Sequence, residues 1–130
     1  MKNTKGFTLI ELLVVIVIIG ILALFGLRFY LTQIDKAKNA IVKANAGTVQ
    51  TLIQAELADK NLNTRNEAVD IAKVAGLHNP FNGVAMKEPG WFPENANVPG
   101  QIQITLSDGV FHIQGYGADG LLPDILTARR

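Results

Sequence analysis

An apolar run near the start of the chain constrains the fold more than any other feature of the sequence. Residues 7–27 read FTLIELLVVIVIIGILALFGL, and Glu11 is the single charged residue among these 21. As a helix, such a segment extends for about 31 Å, which matches the hydrocarbon thickness of a bilayer. The sequence therefore predicts a helix that can span a membrane.

The flanks of this run indicate its orientation. Lys2 and Lys5 precede it, and the positive-inside bias places that end in the cytoplasm, although Arg28 at the far end reduces the asymmetry. A secretory signal peptide has a shorter apolar region that ends in a small-residue cleavage site, which the segment ALFGLRFYL does not provide. We therefore expect no cleavage on the outer side and place the rest of the chain outside the cytoplasm.

A carboxylate inside such a run requires an explanation. A charged side chain at the bilayer centre costs about 2.5–3.5 kcal/mol on insertion scales, so an ionisable residue there indicates a function by default. Glu11 lies close to the cytoplasmic end, where its side chain can also reach the headgroups. Its position alone leaves both interpretations open.

The residues around Glu11 carry a more specific signal. The segment KGFTLIELLVVIVIIGIL joins a Lys-Gly pair, a Phe and a Glu four residues later to an uninterrupted span. It resembles the class III leader of type IV pilins and of the related pseudopilins of type II secretion systems. The resemblance implies that residues 1–6 are a leader, that a prepilin peptidase cuts between Gly6 and Phe7, and that the new amino group of Phe7 is methylated. It also implies that Glu11 is the assembly residue, paired with the free N-terminus of a neighbouring subunit.

Such a pair has a physical rationale. Inside a filament of packed apolar helices, an unpaired carboxylate and an unpaired ammonium are each costly, whereas the two together compensate. Four residues separate Phe7 from Glu11, which is roughly 6 Å along a helix axis. A lateral partner should therefore be displaced by a few ångströms to about 10 Å.

The helical pattern continues beyond the span. Through residues 32–60, apolar residues recur at spacings of three and four with charged residues off that line, which is typical of an amphipathic helix. We predict one helix from Phe7 to about Asp59, with residues 7–31 as the membrane-spanning or filament-core part and residues 32–60 as the amphipathic upper half. The row predicted to pack on the head comprises Ile34, Ala37, Ile41, Ala44, Thr48, Leu52 and Ala55.

Two glycines interrupt the apolar part of this helix. Gly20 and Gly26 each cost about 1 kcal/mol relative to alanine. Many type IV pilins carry a proline in this region that marks a locally unwound segment, and this chain has none there. Either the glycines alone permit unwinding or the helix stays continuous. Gly20 can equally allow neighbouring helices to approach closely.

Residues 61–130 are predicted to form a globular head. Thr64 and Glu67 have capping-box spacing and start a short helix, for which Gly76 is a plausible stop. The following Pro-, Asn- and Gly-rich segment is predicted to be an irregular loop with a short strand near residues 84–86. Trp91 and Phe92 either cap the core, which we favour, or contact another subunit.

A hairpin is the clearest local prediction in the head. Within residues 101–116, Asp108-Gly109 is typical of a type I′ turn between two alternating runs. That turn places Leu106 opposite Phe111 and Ile104 opposite Ile113, so the large apolar residues share one face. A third strand is predicted within residues 124–128.

The segment GYGADGLLPDIL also resembles the C-terminal region of pilins and major pseudopilins, where a similar loop can hold calcium. Asp119 and Asp124 are its carboxylates, and hard cations usually require more oxygen ligands than two side chains supply. We therefore prefer turn formation to a metal site, and we predict no cofactor.

Composition excludes several function classes. Twelve Lys and Arg against eleven Asp and Glu give no basic excess that would indicate a nucleic-acid partner, and the chain has no cysteine. His78 and His112 have no serine, carboxylate or second histidine at a telling spacing. We expect no enzymatic activity.

The sequence thus predicts an α+β, pilin-like protein with a long N-terminal helix packed against a small antiparallel sheet. The resemblance implies a structural subunit of a type IV pilus or similar filament; a major pseudopilin and a membrane-tethered ligand-binding protein are the alternatives. The resemblance implies a homopolymer, a prepilin peptidase, an assembly ATPase with its membrane platform, and lipid contact before assembly. It also implies insertion in the cytoplasmic membrane followed by display in a surface filament.

Overall fold

A computed structural model of the protein describes Gly6 and residues 8–130. The helices in that part of the chain are α1 (Leu9–Asp59), α2 (Arg65–Lys73) and a 3-10 turn (Pro89–Trp91), followed by strands β1 (Ile102–Ser107), β2 (Val110–Gly115) and β3 (Leu126–Ala128). The strands form an antiparallel sheet in the order β1-β2-β3. The predicted α+β class, a long N-terminal helix with a small antiparallel sheet, is confirmed.

The chain divides into two compact units, one ending at Ile34 and one comprising Asp35–Arg130. In the first unit every side chain from Thr8 to Gln33 is exposed, and the large apolar ones are 44–88% exposed. Among the described residues, α1 is the helix whose length and composition allow it to cross a membrane. A helix that is apolar on all sides needs hydrocarbon or other helices around it.

In the second unit, one face of α1 lies in the core of the head. Val42, Ala46, Val49, Ile53 and Leu57 are at most 4% exposed. They recur at spacings of three and four, so they form one row on the helix. From Ala46 onward, this row packs with buried residues of α2, the loop and the sheet, including Ala68, Met86, Phe92, Ile104 and Phe111.

The predicted buried row was wrong by one or two positions. Ile41, Ala44, Thr48 and Ala55 are exposed and Leu52 is half-buried. The reason is size: the row from Val42 to Leu57 carries four branched aliphatic side chains and one alanine, whereas the predicted row mixes alanines and a threonine with its larger residues. Burial of the bulkier row removes more apolar surface from water.

The hairpin has the predicted register. Ile104 pairs with Ile113 and Leu106 with Phe111. The turn residues Asp108 and Gly109 have φ angles of 52° and 76°, as a type I′ turn requires. The third strand is shorter than predicted, because it begins at Leu126 rather than at Asp124.

Other parts of the chain form hydrogen bonds with both edges of the sheet. On the β3 side, the Gln50 and Gln54 amides of α1 donate to the carbonyls of Thr127 and Arg129 over 3.0 and 2.8 Å. On the β1 side, Ile104 N donates to the Pro93 carbonyl over 3.0 Å, and Arg65 Nε donates to the Ile104 carbonyl over 2.6 Å. Unpaired strand edges invite pairing with other chains, so these bonds direct association elsewhere.

The remaining elements of the head agree with most of the predictions made from the sequence. Thr64 caps α2, its hydroxyl accepting from Glu67 N over 3.3 Å, while the helix ends at Lys73, three residues before Gly76. The predicted strand near residues 84–86 is instead a single bridge between His78 and Ala85. That segment lies between Gly83, whose φ is 73°, and Pro89. Few residues are therefore available there for strand pairing over several positions. Phe92 is fully buried and Trp91 packs against the core, so the preferred core interpretation is confirmed.

The corrected face of α1 can be tested with two adjacent substitutions. Ile53→Ala should reduce the free energy of unfolding by about 2–5 kcal/mol, because it opens a cavity in the core. Leu52→Ala, the matched control on the predicted face, should cost about 1 kcal/mol or less. Denaturant unfolding of the full chain in detergent micelles, followed by circular dichroism of the sheet, measures both. Equal losses would contradict this assignment of the core.

Candidate functional site

The first turn of α1 contains a capping box that involves Glu11. Glu11 N donates to Thr8 Oγ1 over 3.2 Å, and Thr8 N donates to Glu11 Oε2 over 3.4 Å. These reciprocal bonds satisfy donors that a helix start otherwise leaves free. This role of Thr8 was not predicted, although its T-x-x-E spacing is the same signal that identified Thr64 and Glu67.

The capping box positions the Glu11 carboxylate without saturating it. An ionised carboxylate has about four acceptor positions, and the cap uses one of them through a long bond. Glu11 is exposed and lies at the helix end where the macrodipole favours negative charge. The carboxylate is therefore held in a defined place and can still receive a strong donor such as an ammonium group.

The predicted processing site lies at the limit of the described residues. Gly6 is exposed, whereas Phe7 and residues 1–5 lie outside the described part of the chain. Cleavage between Gly6 and Phe7 and methylation of Phe7 therefore stay predictions.

Gly20 and Gly26 both lie within α1, which is continuous through them. A Cβ atom added at either position would meet no other atom within 4 Å. Both glycines are thus on the open surface of the apolar segment, and a role in helix packing or in local unwinding within a filament stays a prediction.

The C-terminal loop from Gly115 to Asp124 is fixed to α1 through small residues and one amide. Ala118 N donates to Asn39 Oδ1 over 2.9 Å. Cβ atoms added to Gly115 and Gly117 would lie 2.5 Å from Val42 Cγ1 and from Asn39 Oδ1 respectively. The two glycines are therefore required by the close approach of the loop to the helix.

The two candidate calcium ligands of this loop have different surroundings. Asp124 Oδ2 lies 2.6 Å from Lys43 Nζ, and Asp119 is exposed. Within Gly6 and residues 8–130, no group of three or more His, Cys, Asp or Glu side chains is placed to hold a metal ion. Neither Asn39 nor Lys43 was predicted from the sequence, since each contacts a residue more than 75 positions away.

The histidines occupy structural positions. His112 pairs with Thr105 on one side and Thr127 on the other within the sheet. The carbonyl of His78 accepts from Asn45 Nδ2 over 3.1 Å, and His78 bridges to Ala85.

The fold and the first turn of α1 together define a class: proteins with a membrane-compatible N-terminal helix, a capped glutamate at its start and a small antiparallel head. A family profile described as the prokaryotic N-terminal methylation motif matches residues 1–27. The expected resemblance to type IV pilins is confirmed for the N-terminal part of the chain.

Curated relatives agree with this assignment. The chain is 40% identical over 70 residues to a fimbrial protein of Eikenella corrodens, covering 54% of this chain and 44% of that protein. It is 39% identical over 72 residues to the type IV wide pilus major component of Thermus thermophilus, covering 55% of each, and 44% identical over 57 residues to the type IV major alpha-pilin of Moraxella bovis, covering 44% of this chain and 36% of that protein.

The matched regions span about half or less of the length of these relatives. No solved structure gives a significant match. These relatives are named as fimbrial and pilus components.

Proposed function

We propose that the chain is a structural subunit of a type IV pilus or pilus-like filament. The observation that carries the proposal is the N-terminal part of α1, where an exposed apolar surface from Thr8 to Gln33 carries one acidic residue, Glu11, in its first turn. The names of the matched relatives support the same function.

The exposed apolar surface has two possible environments in this proposal. Before assembly it lies in the lipid of the cytoplasmic membrane, with the N-terminus on the cytoplasmic side. In the filament it lies among the same helices of other copies. Lipid tails and leucine side chains are similarly apolar, so transfer between them costs little apolar free energy, and close packing and polar pairs decide whether helices associate.

Glu11 supplies the polar pair. A prepilin peptidase cuts after Gly6, and the methylated amino group of Phe7 in one copy pairs with the Glu11 carboxylate of its neighbour. Each charge alone would be expensive among apolar helices, so the pair selects one displacement between neighbours. An assembly ATPase and its membrane platform supply the work of extraction from the membrane, as the family resemblance implies.

A major pseudopilin of a type II secretion system is the second candidate, supported by the GYGADG segment. The contacts of this loop favour a pseudopilin whose loop is ordered without a cation. Asn39 and the close approach of Gly115 and Gly117 fix the loop, and the Lys43 ammonium offsets the charge of Asp124. We propose that calcium is not needed to order this loop.

Processing and destination can be measured together. Filaments sheared from native cells should contain a chain that begins at methylated Phe7, detected by mass spectrometry and compared with the membrane fraction. The same mature chain confined to membranes would favour the pseudopilin. An intact Met1–Arg130 chain in active cells would contradict the subunit proposal and favour a membrane-tethered binding protein.

The charge of Glu11 can be separated from its capping role. Glu11→Gln retains a capping-box side chain but removes the charge, so we expect membrane insertion to persist and the yield of sheared filaments to fall at least tenfold. Thr8→Ala removes the cap and retains the charge, at a cost of about 1 kcal/mol in local helix stability. Electron microscopy and immunoblots of the sheared and membrane fractions measure both. Normal filaments with Glu11→Gln would exclude the charge pair.

The cation independence of the loop is tested by thermal unfolding of the full chain in detergent. The melting temperature should be the same in excess calcium and in a chelator, because a ligand that binds only the folded state would raise it. Asn39→Ala should lower the melting temperature by a few degrees, since it leaves Ala118 N without its acceptor. A calcium-dependent rise of several degrees would contradict this proposal.

A further inference from the structure

The loop between α2 and β1 contains the only Asn-Gly pair of the chain, Asn82-Gly83. In such a pair the backbone nitrogen of the glycine can attack the side-chain amide carbon of the asparagine, because glycine has no side chain to hinder the approach. Both residues are exposed in the structure. The loop therefore carries a candidate site of spontaneous deamidation, in a part of the head that the proposed filament function does not use.

The reaction at this pair needs only water. The Gly83 nitrogen forms a bond to Asn82 Cγ, the bond from Cγ to the side-chain nitrogen breaks, and ammonia leaves with the proton that Gly83 N gives up. Water then opens the resulting cyclic imide at either of its two carbonyl carbons. One product is aspartate, and the other is isoaspartate, in which the backbone runs through the former side chain.

The structure holds the Asn82 amide in a polarised state. Asn82 Oδ1 accepts a hydrogen bond from Val84 N over 3.0 Å. Negative charge develops on this oxygen when a nucleophile attacks Cγ, and a fixed backbone donor stabilises that charge. The side chain is thus prepared for the reaction.

The attacking nitrogen is restrained in the same loop. Gly83 N donates to the Asn79 carbonyl over 2.7 Å. This nitrogen must lose its proton to attack, and in the imide it has no hydrogen left to donate. The reaction therefore requires that the bond to Asn79 is broken, and the free energy of that bond opposes it.

Asn79 is well placed to keep this acceptor fixed, because it is only 1% exposed. Its Oδ1 accepts from Phe81 N over 2.8 Å, and its Nδ2 donates to the Pro99 carbonyl over 2.9 Å. Gly100, at a φ of 96°, lies so close that an added Cβ atom would overlap with Asn79 Oδ1. A buried amide with both polar atoms bonded is costly to move, so the Asn79 carbonyl stays in place while the head is folded.

We propose that Asn82 is a deamidation site and that the hydrogen bond from Gly83 N to the buried Asn79 keeps the reaction slow in the folded head. Opening of the loop frees Gly83 N next to an exposed amide and allows the reaction to proceed. This inference does not rest on the proposed filament function.

Either product changes the surface of the head. A carboxylate appears one residue after Phe81, whose ring centroid lies 5.5 Å from Lys38 Nζ. Isoaspartate also adds one carbon to the backbone between Asn79 and Val84, a segment closed by a 2.9 Å bond from Asn79 N to the Val84 carbonyl. Deamidation is therefore expected to loosen this loop as well as to charge it.

Peptide mapping of the full chain in detergent micelles measures the reaction. The chain is incubated at neutral pH and digested with trypsin, and mass spectrometry detects replacement of an amide by a carboxyl group in the peptide 74–87. This peptide contains Asn82 and one other asparagine, Asn79, which precedes Pro80 and so has no following N–H to attack it. The folded chain should react at least about tenfold more slowly than the same chain unfolded in guanidinium chloride.

Two glycine substitutions separate the Asn79 contact from general strain. Gly100→Ala displaces Asn79 without changing the sequence around Asn82, so it should speed deamidation of the folded chain several-fold. Gly109→Ala is the matched control, because Gly109 also has a positive φ, 76°, but an added Cβ atom there meets no atom within 4 Å. It should leave the rate unchanged. Circular dichroism checks that both variants are folded, and Asn79→Ala replaces Gly100→Ala if the latter is not.

Three results would overturn the inference. An unfolded chain that gains no carboxyl group in the peptide 74–87 would exclude the site. Aspartate without isoaspartate would exclude the cyclic imide. Equal rates in the folded and unfolded chains, or a folded Gly100→Ala variant that reacts no faster than Gly109→Ala, would exclude control by Asn79.

Discussion

The burial of one row of α1 against the sheet is the contact on which the rest of the structure depends. Val49, Ile53 and Leu57 anchor the helix in the core, and α2, Phe92 and the three strands pack around them. Because a helix satisfies its own backbone hydrogen bonds, α1 needs no further support from the head to extend toward its N-terminus. One element can therefore serve both a water-exposed head and an apolar environment.

The sequence predicted the elements of this fold better than their contacts. The apolar run, the Thr64 cap and the Asp108-Gly109 turn are local signals with strong physical causes, and each appears in the structure. The choice of the buried face of α1 does not depend on a local signal. Two adjacent rows of the helix have helical spacing, and the fit of large side chains against Phe111 and Met86 decides which row is buried. The contacts of Asn39 and Lys43 with the C-terminal loop were beyond prediction because no short-range pattern encodes them.

The candidate site shows the same division. Glu11 stands out in the sequence because a carboxylate is expensive in an apolar run. Its bond to Thr8 is equally local and was readable from the spacing, but a capping box is usually sought at helices in water. In an apolar environment the same motif has an added effect, since it holds the carboxylate near the positive end of the helix dipole, where its charge is least costly.

The apolar surface and the charged start of α1 have complementary physical roles in the proposed filament. The apolar surface from Thr8 to Gln33 is large, but apolar contacts have no direction and leave neighbouring helices free to slide. A charge pair at Glu11 discriminates between registers more strongly than it adds affinity. The proposed assembly therefore derives its stability mainly from the helices and its displacement between subunits from that pair. At the sheet edges, the bonds of Gln54 with Arg129 and of Arg65 with Ile104 oppose a competing mode of association, backbone pairing between strands.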